Sequence, residues 1–575
     1  MGGGSMAKVI SKTLAEVLEE TADRFPDNEA IVFPEFSLRM NYEEFRGAIR
    51  QLAKGLLALG LEKGEHWAIW TQNRPFATMA QFAAAYLGAP LVVINPNYKT
   101  FDLEYVLRQS DSKLLVTIGR FKSSEYLKMV LAIVPELASS KDGKVTSQKF
   151  EKLERVVLDA FNFSPEGVSL LTTEQLFKLG VGVADHELDE AMRSVGVEDP
   201  INMQYTSGTT GRPKGVLLTS LGLVNNGFQV GEVMGLTPED RMCIPVPFYH
   251  CFHLVLGNIA AVTHGSTMVV PYQVFNAERT IKTVIEEQCT VLHGVPTMFQ
   301  RYLEVKRESP EFANAEFRLR TGIMAGAPCP IELMRAVIKE LGAEELVIAY
   351  GLTEASPVLT MTRRDDPLEV RTGSVGRPIA HVELRVVDQD GNDCPRSDDS
   401  EDASAVGEII ARSIYTMLGY YKDPEATAKR VRNGWLYTGD LGRCDTQGNL
   451  HIVGRADDMI IKGGENIYPL WIEEFYSARL EGKIGIVQVV GVPDAEYGQV
   501  PAIVIEPKRG FELSEDEIKL LGDEGLPRGW TPHYVKIVSA DYWPLTVTGK
   551  IKKGELSKKL TQELGLESLT ERKTA

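Results

Sequence analysis

A short loop between residues 203 and 220, MQYTSGTTGRPKGVLLTS, concentrates groups that can hold phosphate. Its hydroxyl, glycine and lysine residues are Thr206, Ser207, Gly208, Thr209, Thr210, Gly211 and Lys214. Hydroxyls and backbone N–H groups freed by glycines donate hydrogen bonds to phosphate oxygens, and an ammonium group neutralises their charge. The spacing is not the G-x-x-x-x-G-K-[ST] pattern of a Walker loop. The composition therefore predicts a phosphate-binding loop of another kind, with a polar hairpin tip as the alternative.

The segments on either side of this loop predict strands. NMQY precedes the loop, VLLT follows Lys214 and Gly215, and Pro213 fits a turn rather than the start of a helix. A Walker loop instead leads from a strand into a helix and uses the dipole of that helix. We therefore expect this loop to join strand to strand, with glycine amides, hydroxyls and Lys214 holding the anion.

The first three quarters of the chain alternate strand-like and helix-like segments. Residues 42–60 carry apolar residues at helical spacing, and Gly60 can supply a left-handed cap. The runs HWAIW, PLVVIN and KLLVTI are short, apolar and bounded by turn residues. STMVV, AERTIKTVIEEQ and TVLHGVP repeat this alternation further on. The pattern is typical of α/β layers around largely buried strands.

The sequence also predicts how the chain divides. A length of 575 residues suggests several domains. The charged, glycine-rich stretch GRADDMIIKGGEN precedes a compact segment with the strand-like runs VQVVGV and AIVIE and the helix-like run EDEIKLL. We expect residues 1–5 to be a cloning remnant, residues 6–456 a large multi-layer α/β domain, and residues 457–575 a small mobile α+β domain.

Composition and charge narrow the class of protein. A chain with 43% hydrophobic and 25% charged residues is typical of soluble globular proteins. The formal net charge of −17 argues against non-specific binding to nucleic acid or to an anionic membrane, since both need a surplus of Lys and Arg. The 6 cysteines show no C-x-x-C or metal-ligand spacing, and no signal peptide or membrane-spanning run is visible. These features predict a cytoplasmic enzyme with reduced thiols and no integral membrane segment.

Five motifs, in a fixed order, resemble those of the adenylate-forming superfamily, which includes acyl-CoA synthetases, luciferases and nonribosomal peptide adenylation domains. They are YTSGTTGRPKG (205–215), YGLTEASP (350–357), GWLYTGDLG (434–442), GRADDMIIKGGENIYP (454–469) and PLTVTGKIKK (544–553). One such motif is weak evidence, but five in order are highly specific. The resemblance implies that a carboxylate and Mg-ATP are converted to an acyl-adenylate and pyrophosphate, and that the acyl group is then transferred to CoA.

The resemblance also implies roles in binding ATP. The loop from Thr206 to Lys214 would hold the β- and γ-phosphates, Glu354 would bind Mg²⁺, and Thr353 would lie at the α-phosphate. The residues expected around the adenosine are Gly326, Ala327, Pro328, Tyr350, Gly351, Asp440 and Arg455. Within that set, Asp440 would accept both ribose hydroxyls and Tyr350 would stack on the purine.

A catalytic lysine and a hinge are implied for the C-terminal part of the chain. Lys550 matches the lysine that stabilises the adenylation transition state. The phosphate loop is expected in the other domain, so the two would meet only when the domains close. Asp457 matches the residue about which the family pivots. Rotation there would withdraw Lys550 and bring Gly463 and Gly464 to the adenylate, where glycine permits close approach of CoA.

The segment PVPFYHCFHLVLGN (245–258) resembles the acyl site of the family. His250 takes the position of a histidine that orients the carboxylate or closes the tunnel, with a hydrogen-bonded core histidine as the alternative. His253 stands where the family has glycine, so its imidazole should shorten or reshape the cavity and could hydrogen-bond a polar substrate tail. The expected pocket residues are His250, Cys251, His253, Val295, Met298 and Met324. We expect a short- or medium-chain acid, or a cyclic or aromatic one.

Other functions share these motifs. The enzyme could load a carrier protein in trans rather than CoA, or act as a luciferase-like oxygenase. A catalytically silent nucleotide-binding scaffold is a further alternative, although the presence of Lys214, Glu354, Asp440 and Lys550 argues against it. The expected partners are a small carboxylate, ATP and CoA, with no nucleic acid, and the expected state is a monomer or homodimer.

Overall fold

The computed structural model describes residues 8–165, 167–206, 212–327, 329–400, 402–463, 465–527, 529–545, 551–567 and 569. The chain forms two compact units, Met1–Leu384 with Ala411–Leu436 and Arg385–Ile410 with Tyr437–Ala575. It passes from one unit to the other within the strands Val382–Val387, Gly407–Ser413 and Trp435–Cys444. The sequence predicts a domain boundary between residues 456 and 457, with a hinge at Asp457. That boundary stays a prediction.

The described part of the first unit contains two large sheets, each with parallel strands at its centre and antiparallel strands toward an edge. In spatial order, the first sheet has the strands Arg377–Pro378, Val358–Met361, Glu345–Gly351, Thr321–Ala325, Val291–Leu292, Arg241–Cys243, Thr267–Val269, Glu29–Phe33 and Leu38–Asn41. In the same order, the second has Gly419–Tyr420, Lys214–Thr219, Pro200–Thr206, Leu91–Val93, Trp67–Trp70, Leu114–Ile118, Arg155–Asp159 and Leu171–Thr172.

The strands predicted from short apolar runs are confirmed. Trp67–Trp70, Leu91–Val93 and Leu114–Ile118 are buried along their whole length, as parallel strands at the centre of a sheet require. Their side chains divide between two apolar cores, because successive residues of a strand point to opposite faces. The α/β interpretation of this region is thereby confirmed.

Helices connect the strands of the first unit. Their bounds are Leu14–Arg24, Tyr42–Ala58, Pro75–Leu87, Thr100–Gln109, Tyr126–Ile133, Thr173–Leu179, Asp185–Ser194, Ser220–Met234, Ala260–His264, Ala277–Glu286, Pro296–Glu308, Ile331–Leu341, Leu368–Gly373 and Pro424–Arg430. A π-helix runs over Phe252–Ile259.

The helix Tyr42–Ala58 shows how sequence sets the bounds of these elements. The side chain of Asn41 accepts a hydrogen bond from the Glu44 N–H, and the Glu44 carboxylate accepts one from the Asn41 N–H. This reciprocal arrangement satisfies N–H groups that have no partner within the helix. At the other end Gly60 adopts a φ of 80°, the left-handed conformation that ends many helices. The predicted helix and its glycine cap are confirmed.

The second unit is a smaller α+β assembly. Its described elements include a sheet of Ile484–Asp494, Gly498–Pro507 and Tyr534–Ile537, the hairpin Ile460–Lys462 with Glu465–Ile467, the strand Leu450–Arg455, and the helices Pro469–Arg479, Glu515–Gly525 and Lys553–Glu563. The strands predicted at VQVVGV and AIVIE and the helix predicted at EDEIKLL are confirmed.

Two further features bear on the class of protein. All of the cysteines, namely Cys243, Cys251, Cys289, Cys329, Cys394 and Cys444, are free thiols. In the described ranges, no helix combines the length and the apolar character needed to span a bilayer.

Candidate active site

The phosphate loop joins two antiparallel strands, as predicted. Thr206 ends the strand Pro200–Thr206, Lys214 begins the strand Lys214–Thr219, and the two residues face each other across the ladder. Residues 207–211 lie outside the described residues, so the expected contacts of Ser207, Gly208, Thr209, Thr210 and Gly211 stay predictions. The tight pairing of the two strands fixes the points where the loop leaves and returns to the sheet.

Glu354 sits in a short turn, Thr353–Ala355, that follows the end of the strand Glu345–Gly351. Its neighbour Ala355 packs into a small apolar cluster and anchors the turn. The backbone N–H of Met417 donates a hydrogen bond to the carbonyl oxygen of Glu354 at 2.8 Å. The residue as a whole is 6% exposed. Glu354 is therefore a buried residue with a fixed backbone, not a solvated surface acid.

Tyr420 connects Glu354 to the lysine of the phosphate loop. Its hydroxyl donates a hydrogen bond to Glu354 Oε1 at 2.6 Å, and the ammonium nitrogen of Lys214 lies 5.2 Å from the centre of its ring. That distance is typical of a cation–π contact. The short strand Gly419–Tyr420 pairs with the strand that Lys214 begins, which places the phenol ring there. The structure thus brings two sequence-predicted residues together through a third that the sequence reasoning missed.

Arg430 is a second residue of this cluster that the sequence did not single out. Its Nη2 lies 3.8 Å from Glu354 Oε1, the same oxygen that accepts the hydrogen bond of Tyr420. Burial raises the pKa of Tyr420 well above its usual range; the Glu354 carboxylate raises it further, and Arg430 opposes the shift. The phenol therefore stays protonated and acts as a donor. We call Lys214, Glu354, Tyr420 and Arg430 the phosphate-end cluster.

Cys251 links the acyl segment to the Thr353 turn. Its thiol donates a hydrogen bond to Thr353 Oγ1 at 3.3 Å. Burial raises the pKa of this thiol to about 12, so it remains a neutral donor. Of the expected pocket residues, this one therefore has a direct contact with a residue expected at the α-phosphate.

The acyl segment turns at His250 and enters the π-helix Phe252–Ile259. π-Helical segments are rare and occur mostly at functional sites. His250 is exposed, and its Nδ1 accepts a hydrogen bond from the Phe252 N–H at 3.2 Å. It is therefore not a fully buried core histidine.

His253, the second residue of the π-helix, is a buried and neutral imidazole. It is 1% exposed, its Nδ1–H donates to the Val246 carbonyl oxygen at 2.7 Å, and its ring packs against Phe248. Burial lowers its pKa to about 4. Within the described residues, its Nε2 has no hydrogen-bond partner. The side chain thus fills space in the acyl segment and leaves one acceptor unsatisfied.

His293 is a second buried histidine beside this segment. It accepts a hydrogen bond at Nδ1 from the Ile323 N–H at 3.2 Å and donates from Nε2 to the Leu256 carbonyl oxygen at 3.1 Å. Burial, with a smaller contribution from the neighbouring His253, lowers its pKa to about 4. The sequence pattern assigns no role to this imidazole, although Val295 and Met298 nearby are expected pocket residues. Its two hydrogen bonds join segments that are distant in the sequence, so they can be found only in the folded structure.

The other expected wall residues have different environments. Met324 is completely buried in the strand Thr321–Ala325, and Met298 is 9% exposed in the helix Pro296–Glu308. Val295 is half-buried at the start of that helix. Met298 and Val295, at the edge of the core, are therefore the better placed of the three to meet a ligand.

The residues expected around the purine lie at the ends of two neighbouring parallel strands. Gly326 and Ala327 follow the strand Thr321–Ala325 and are exposed, while Tyr350 and Gly351 end the adjacent strand Glu345–Gly351. Ligands of α/β proteins commonly bind at the carboxyl ends of parallel strands. At Gly351, a Cβ atom would come within 1.9 Å of the Pro357 carbonyl oxygen, so a side chain cannot be accommodated there. Pro328 lies outside the described residues.

In the second unit, Asp440 and Arg455 face each other across an antiparallel pair of strands. Arg455 Nη1 donates to Asp440 Oδ1 at 2.8 Å, and Asp440 is 9% exposed. The backbone N–H of Asp440 donates to Thr438 Oγ1 at 3.1 Å, which helps to fix the backbone at this point. The two sequence-predicted residues thus form an ion pair.

The expected hinge and CoA-approach residues also lie in the second unit. Asp457 is exposed in the turn Ala456–Asp458, and Gly463 is exposed with a φ of 59°, a conformation that favours glycine. Gly464 and Lys550 lie outside the described residues. Three residues after Lys550, Lys553 Nζ donates to the buried carboxylate of Glu473 at 2.6 Å and anchors that end of the motif.

A family model described as AMP-binding enzyme matches residues 18–421 of the chain. Because this match covers well over half of the chain, the protein belongs to that family.

Two relatives extend the match to nearly the whole length. YngI of Bacillus subtilis (strain 168), an acyl-CoA synthetase by name, is 43% identical over 568 residues that cover 98% of this chain and 100% of YngI. The mitochondrial medium-chain acyl-CoA ligase ACSF2 of Rattus norvegicus is 35% identical over 571 residues, covering 98% of this chain and 90% of that protein.

Solved structures agree with this assignment. ATP-bound MatB from Rhodopseudomonas palustris superposes with a TM-score of 0.78 at 25% identity, covering 95% of this chain and 98% of MatB. A fatty acyl CoA synthetase from Mycobacterium tuberculosis superposes with a TM-score of 0.70 at 26% identity, covering 96% and 99%.

The predicted fold class and the predicted activity are therefore confirmed. The chain is an AMP-forming acyl-CoA ligase with the α/β fold of adenylate-forming enzymes. It activates a carboxylic acid as an acyl-adenylate, with ATP as the nucleotide, and then forms a thioester with CoA.

Proposed function

We propose that this ligase activates a short- or medium-chain carboxylic acid, or a cyclic or aromatic one, rather than a long fatty chain. The observation that carries this proposal is the buried imidazole of His253 inside the acyl segment. An imidazole held by the Val246 carbonyl and packed on Phe248 cannot swing aside without losing both contacts. It therefore removes volume that a long acyl chain would need.

The name of one relative supports the same size class. The rat protein ACSF2 is described as a medium-chain acyl-CoA ligase, and the match to it covers nearly the whole chain. The unsatisfied Nε2 of His253 adds the capacity to accept a hydrogen bond from a polar group in the acyl chain. Both features favour an acid of limited length over a fully extended fatty acid.

For the first half-reaction, we assign the phosphates of ATP to the phosphate loop and Lys214. Glu354 suits Mg²⁺, because this ion is commonly bound by one or two carboxylates together with phosphate oxygens. In the described ranges, no cluster of three or more His, Cys, Asp and Glu side chains could hold a metal ion. When bound, Mg²⁺ would neutralise phosphate charge and make pyrophosphate a better leaving group. Tyr420 orients the Glu354 carboxylate for this task.

The remaining roles are proposed for residues that bind or position other groups. Thr353, oriented by Cys251, would donate to the α-phosphate, and His250 would position the carboxylate of the acid. Asp440 would accept the ribose hydroxyls with Arg455 beside it.

Catalysis by Lys550 and rotation about Asp457 complete the proposal, with Gly463 and Gly464 at the approach of CoA. We also propose a monomer or homodimer in the cytoplasm, a reducing compartment that suits the free thiols.

A panel of carboxylic acids tests the size class. The purified protein is incubated with Mg-ATP and straight-chain acids from acetate to palmitate, together with benzoate and a cyclohexane carboxylate. AMP release is then measured with and without CoA. The proposal predicts the highest kcat/KM for acids of short or medium length or for a ring acid, with AMP release that depends on CoA. Highest activity on palmitate contradicts the size class, and AMP release indifferent to CoA contradicts CoA as the acceptor.

A further inference from the structure

Arg430 stands at the end of a short helix whose position is fixed by the strand that carries Tyr420. Thr427, one turn earlier, accepts a hydrogen bond from the Tyr420 N–H at 2.9 Å and donates one to the Asp423 carbonyl oxygen at 2.9 Å. The Asp423 side chain caps the helix by accepting from the Ala426 N–H at 3.0 Å. These hydrogen bonds fix the helix that places the Arg430 guanidinium in the phosphate-end cluster.

The contacts of Arg430 leave part of its hydrogen-bonding capacity unused, although its side chain also interacts with that of Tyr420. Its Nη2 is 3.8 Å from Glu354 Oε1, close enough for charge attraction but too far for a hydrogen bond. Its Nε is buried and, in the described part of the chain, has no hydrogen-bond partner. A planar guanidinium with N–H groups in a fork is suited to bind carboxylate or phosphate through two parallel bonds.

A purely structural arginine in the same unit looks different. Arg320 donates from Nε to Asp240 at 3.0 Å and from Nη1 and Nη2 to carboxylate and carbonyl oxygens at 2.6 to 3.1 Å. Its donors are saturated by the protein itself. Arg430 instead contacts Glu354 and Tyr420, two residues of the phosphate-end cluster, and its Nε has no hydrogen-bond partner among the described residues.

The balance of charge in the phosphate-end cluster points the same way. Lys214 and Arg430 flank Tyr420 on its ring and hydroxyl sides, and among the described residues Glu354 is the carboxylate that contacts them. One carboxylate does not neutralise two cations, whereas the polyphosphate of ATP brings several negative charges. The cluster is therefore complementary to an anion that arrives with its own metal ion.

We propose that Arg430 binds the polyphosphate of ATP, donating from its terminal nitrogens to a β- or γ-phosphate oxygen. It acts as a second fixed cation beside Lys214. This inference rests on the proposed placement of the β- and γ-phosphates at the loop. AMP, which lacks these phosphates, makes no contact with Arg430.

Binding measurements separate this role from a structural one. Calorimetry measures the affinity of the full chain for the Mg²⁺ complex of α,β-methylene-ATP, which resists adenylation, and for AMP. Arg430→Gln should weaken binding of the analogue at least about tenfold, since hydrogen bonds to a charged group are at stake, and should leave AMP binding within about twofold. Arg430→Lys should recover part of the loss. Lys429→Gln, at an exposed position of the same helix, should behave like the unaltered protein.

The outcomes are distinguishable. Equal weakening of the analogue and of AMP by Arg430→Gln, or unchanged affinity for both, overturns the inference while leaving the proposed function intact. Thermal melting of each variant reveals whether an equal loss reflects a damaged fold. Failure of the unaltered protein to bind the analogue any better than AMP overturns both the inference and the proposed placement of the phosphates.

Discussion

The phosphate-end cluster and the acyl segment, which we call the phosphate end and the acyl end after their proposed roles, differ in how their side chains are arranged. At the phosphate end, charged and phenolic side chains from distant segments converge on the Glu354 carboxylate and remain partly accessible. At the acyl end, the contiguous segment 245–258 supplies mostly buried side chains, and its buried histidine His253 is neutral. Charged groups around a carboxylate suit the binding of ATP, which is the same nucleotide whichever acid is activated. The shape of a cavity and one neutral hydrogen-bond acceptor instead suit discrimination among acids.

Cys251 is the point where the two ends meet. Its thiol belongs to the acyl segment, yet it donates to Thr353, next to the carboxylate of the phosphate end. Away from this contact, a substitution at the phosphate end should scale the activity for all acids alike. One at the acyl end should reorder the acids without changing the affinity for ATP.

The largest expected effect concerns Lys550. Lys550→Ala should lower the rate of adenylation, measured as pyrophosphate–ATP exchange, by about 10³-fold, because a cation that stabilises developing charge is removed. Thioester formation from supplied acyl-AMP and CoA should change by no more than a few-fold. Lys552→Ala removes a nearby lysine that pairs with Glu555 and serves as the control. An equal loss of adenylation and of thioester formation would refute the claim that Lys550 acts only in adenylation.

The next largest effect is expected at Tyr420. Tyr420→Phe removes the 2.6 Å hydrogen bond to Glu354 but keeps the ring beneath Lys214. Loss of a hydrogen bond to a charged group is worth about 1.5–3 kcal/mol, so kcat/KM for ATP should fall roughly 10- to 100-fold. The required Mg²⁺ concentration should rise as well. Tyr421→Phe, which loses a bond to Asp111 instead, is the matched control. A Tyr420 variant with normal Mg²⁺ dependence would show that the phenol does not orient the carboxylate.

At the acyl end, His253→Gly should shift the preferred acid to longer chains. Each additional buried methylene contributes about 0.8 kcal/mol, so space for two carbons should favour the longer acid about tenfold. The KM for ATP should stay within about twofold. His264→Ala truncates a histidine that stacks on Phe228 outside the acyl segment, and it should leave the order of acids unchanged. An unaltered chain-length order in His253→Gly would mean that this imidazole does not limit the cavity.

The smallest effect is a dependence of stability on pH. His253 and His293 have folded-state pKa values lowered to about 4, while an unfolded histidine titrates near 6.5. The unfolded chain therefore binds more protons than the folded chain between these values, and stability falls as the pH drops below about 6.5. Each histidine should account for about 1 kcal/mol of lost unfolding free energy between pH 7 and pH 5.5.

Urea unfolding at a series of pH values measures this loss. His293→Gln should flatten the profile in that window, and exposed His186→Gln should not. A profile that is equally steep in all three proteins would contradict the assignment to the buried pair.

Much of the phosphate end could be predicted from sequence because its signals are local. Pro213, the glycines and the flanking apolar runs specify a strand–loop–strand unit, and the pairing of Thr206 with Lys214 follows from that geometry. Tyr420 and Arg430 could not be predicted, because their contacts with Glu354 join segments far apart in the chain. Neither residue stands in a spacing that indicates chemistry. Tyr420 reaches Glu354 because the strand Gly419–Tyr420 pairs with the strand that follows the loop, and the helix that ends at Arg430 follows that strand.

The acyl site itself stays a prediction, and the structural details of its segment could not be predicted from the sequence. The departure at His253 is visible in the sequence, and so is its bulk. Its hydrogen bond to Val246 depends on a π-helix, a rare conformation that apolar periodicity does not reveal. The influence of His253 on the pKa of His293 likewise depends on tertiary packing.

The contrast between the two ends is tested most directly by one matched measurement. The kcat/KM for each acid of the panel is determined for the unaltered protein, Tyr420→Phe and His253→Gly under identical Mg-ATP and CoA. We predict that Tyr420→Phe lowers all values by a common factor and preserves their order. We predict that His253→Gly instead reverses the order in favour of longer acids. Reordering by Tyr420→Phe, or a uniform loss in a folded His253→Gly, would contradict the division of labour between the phosphate end and the acyl end.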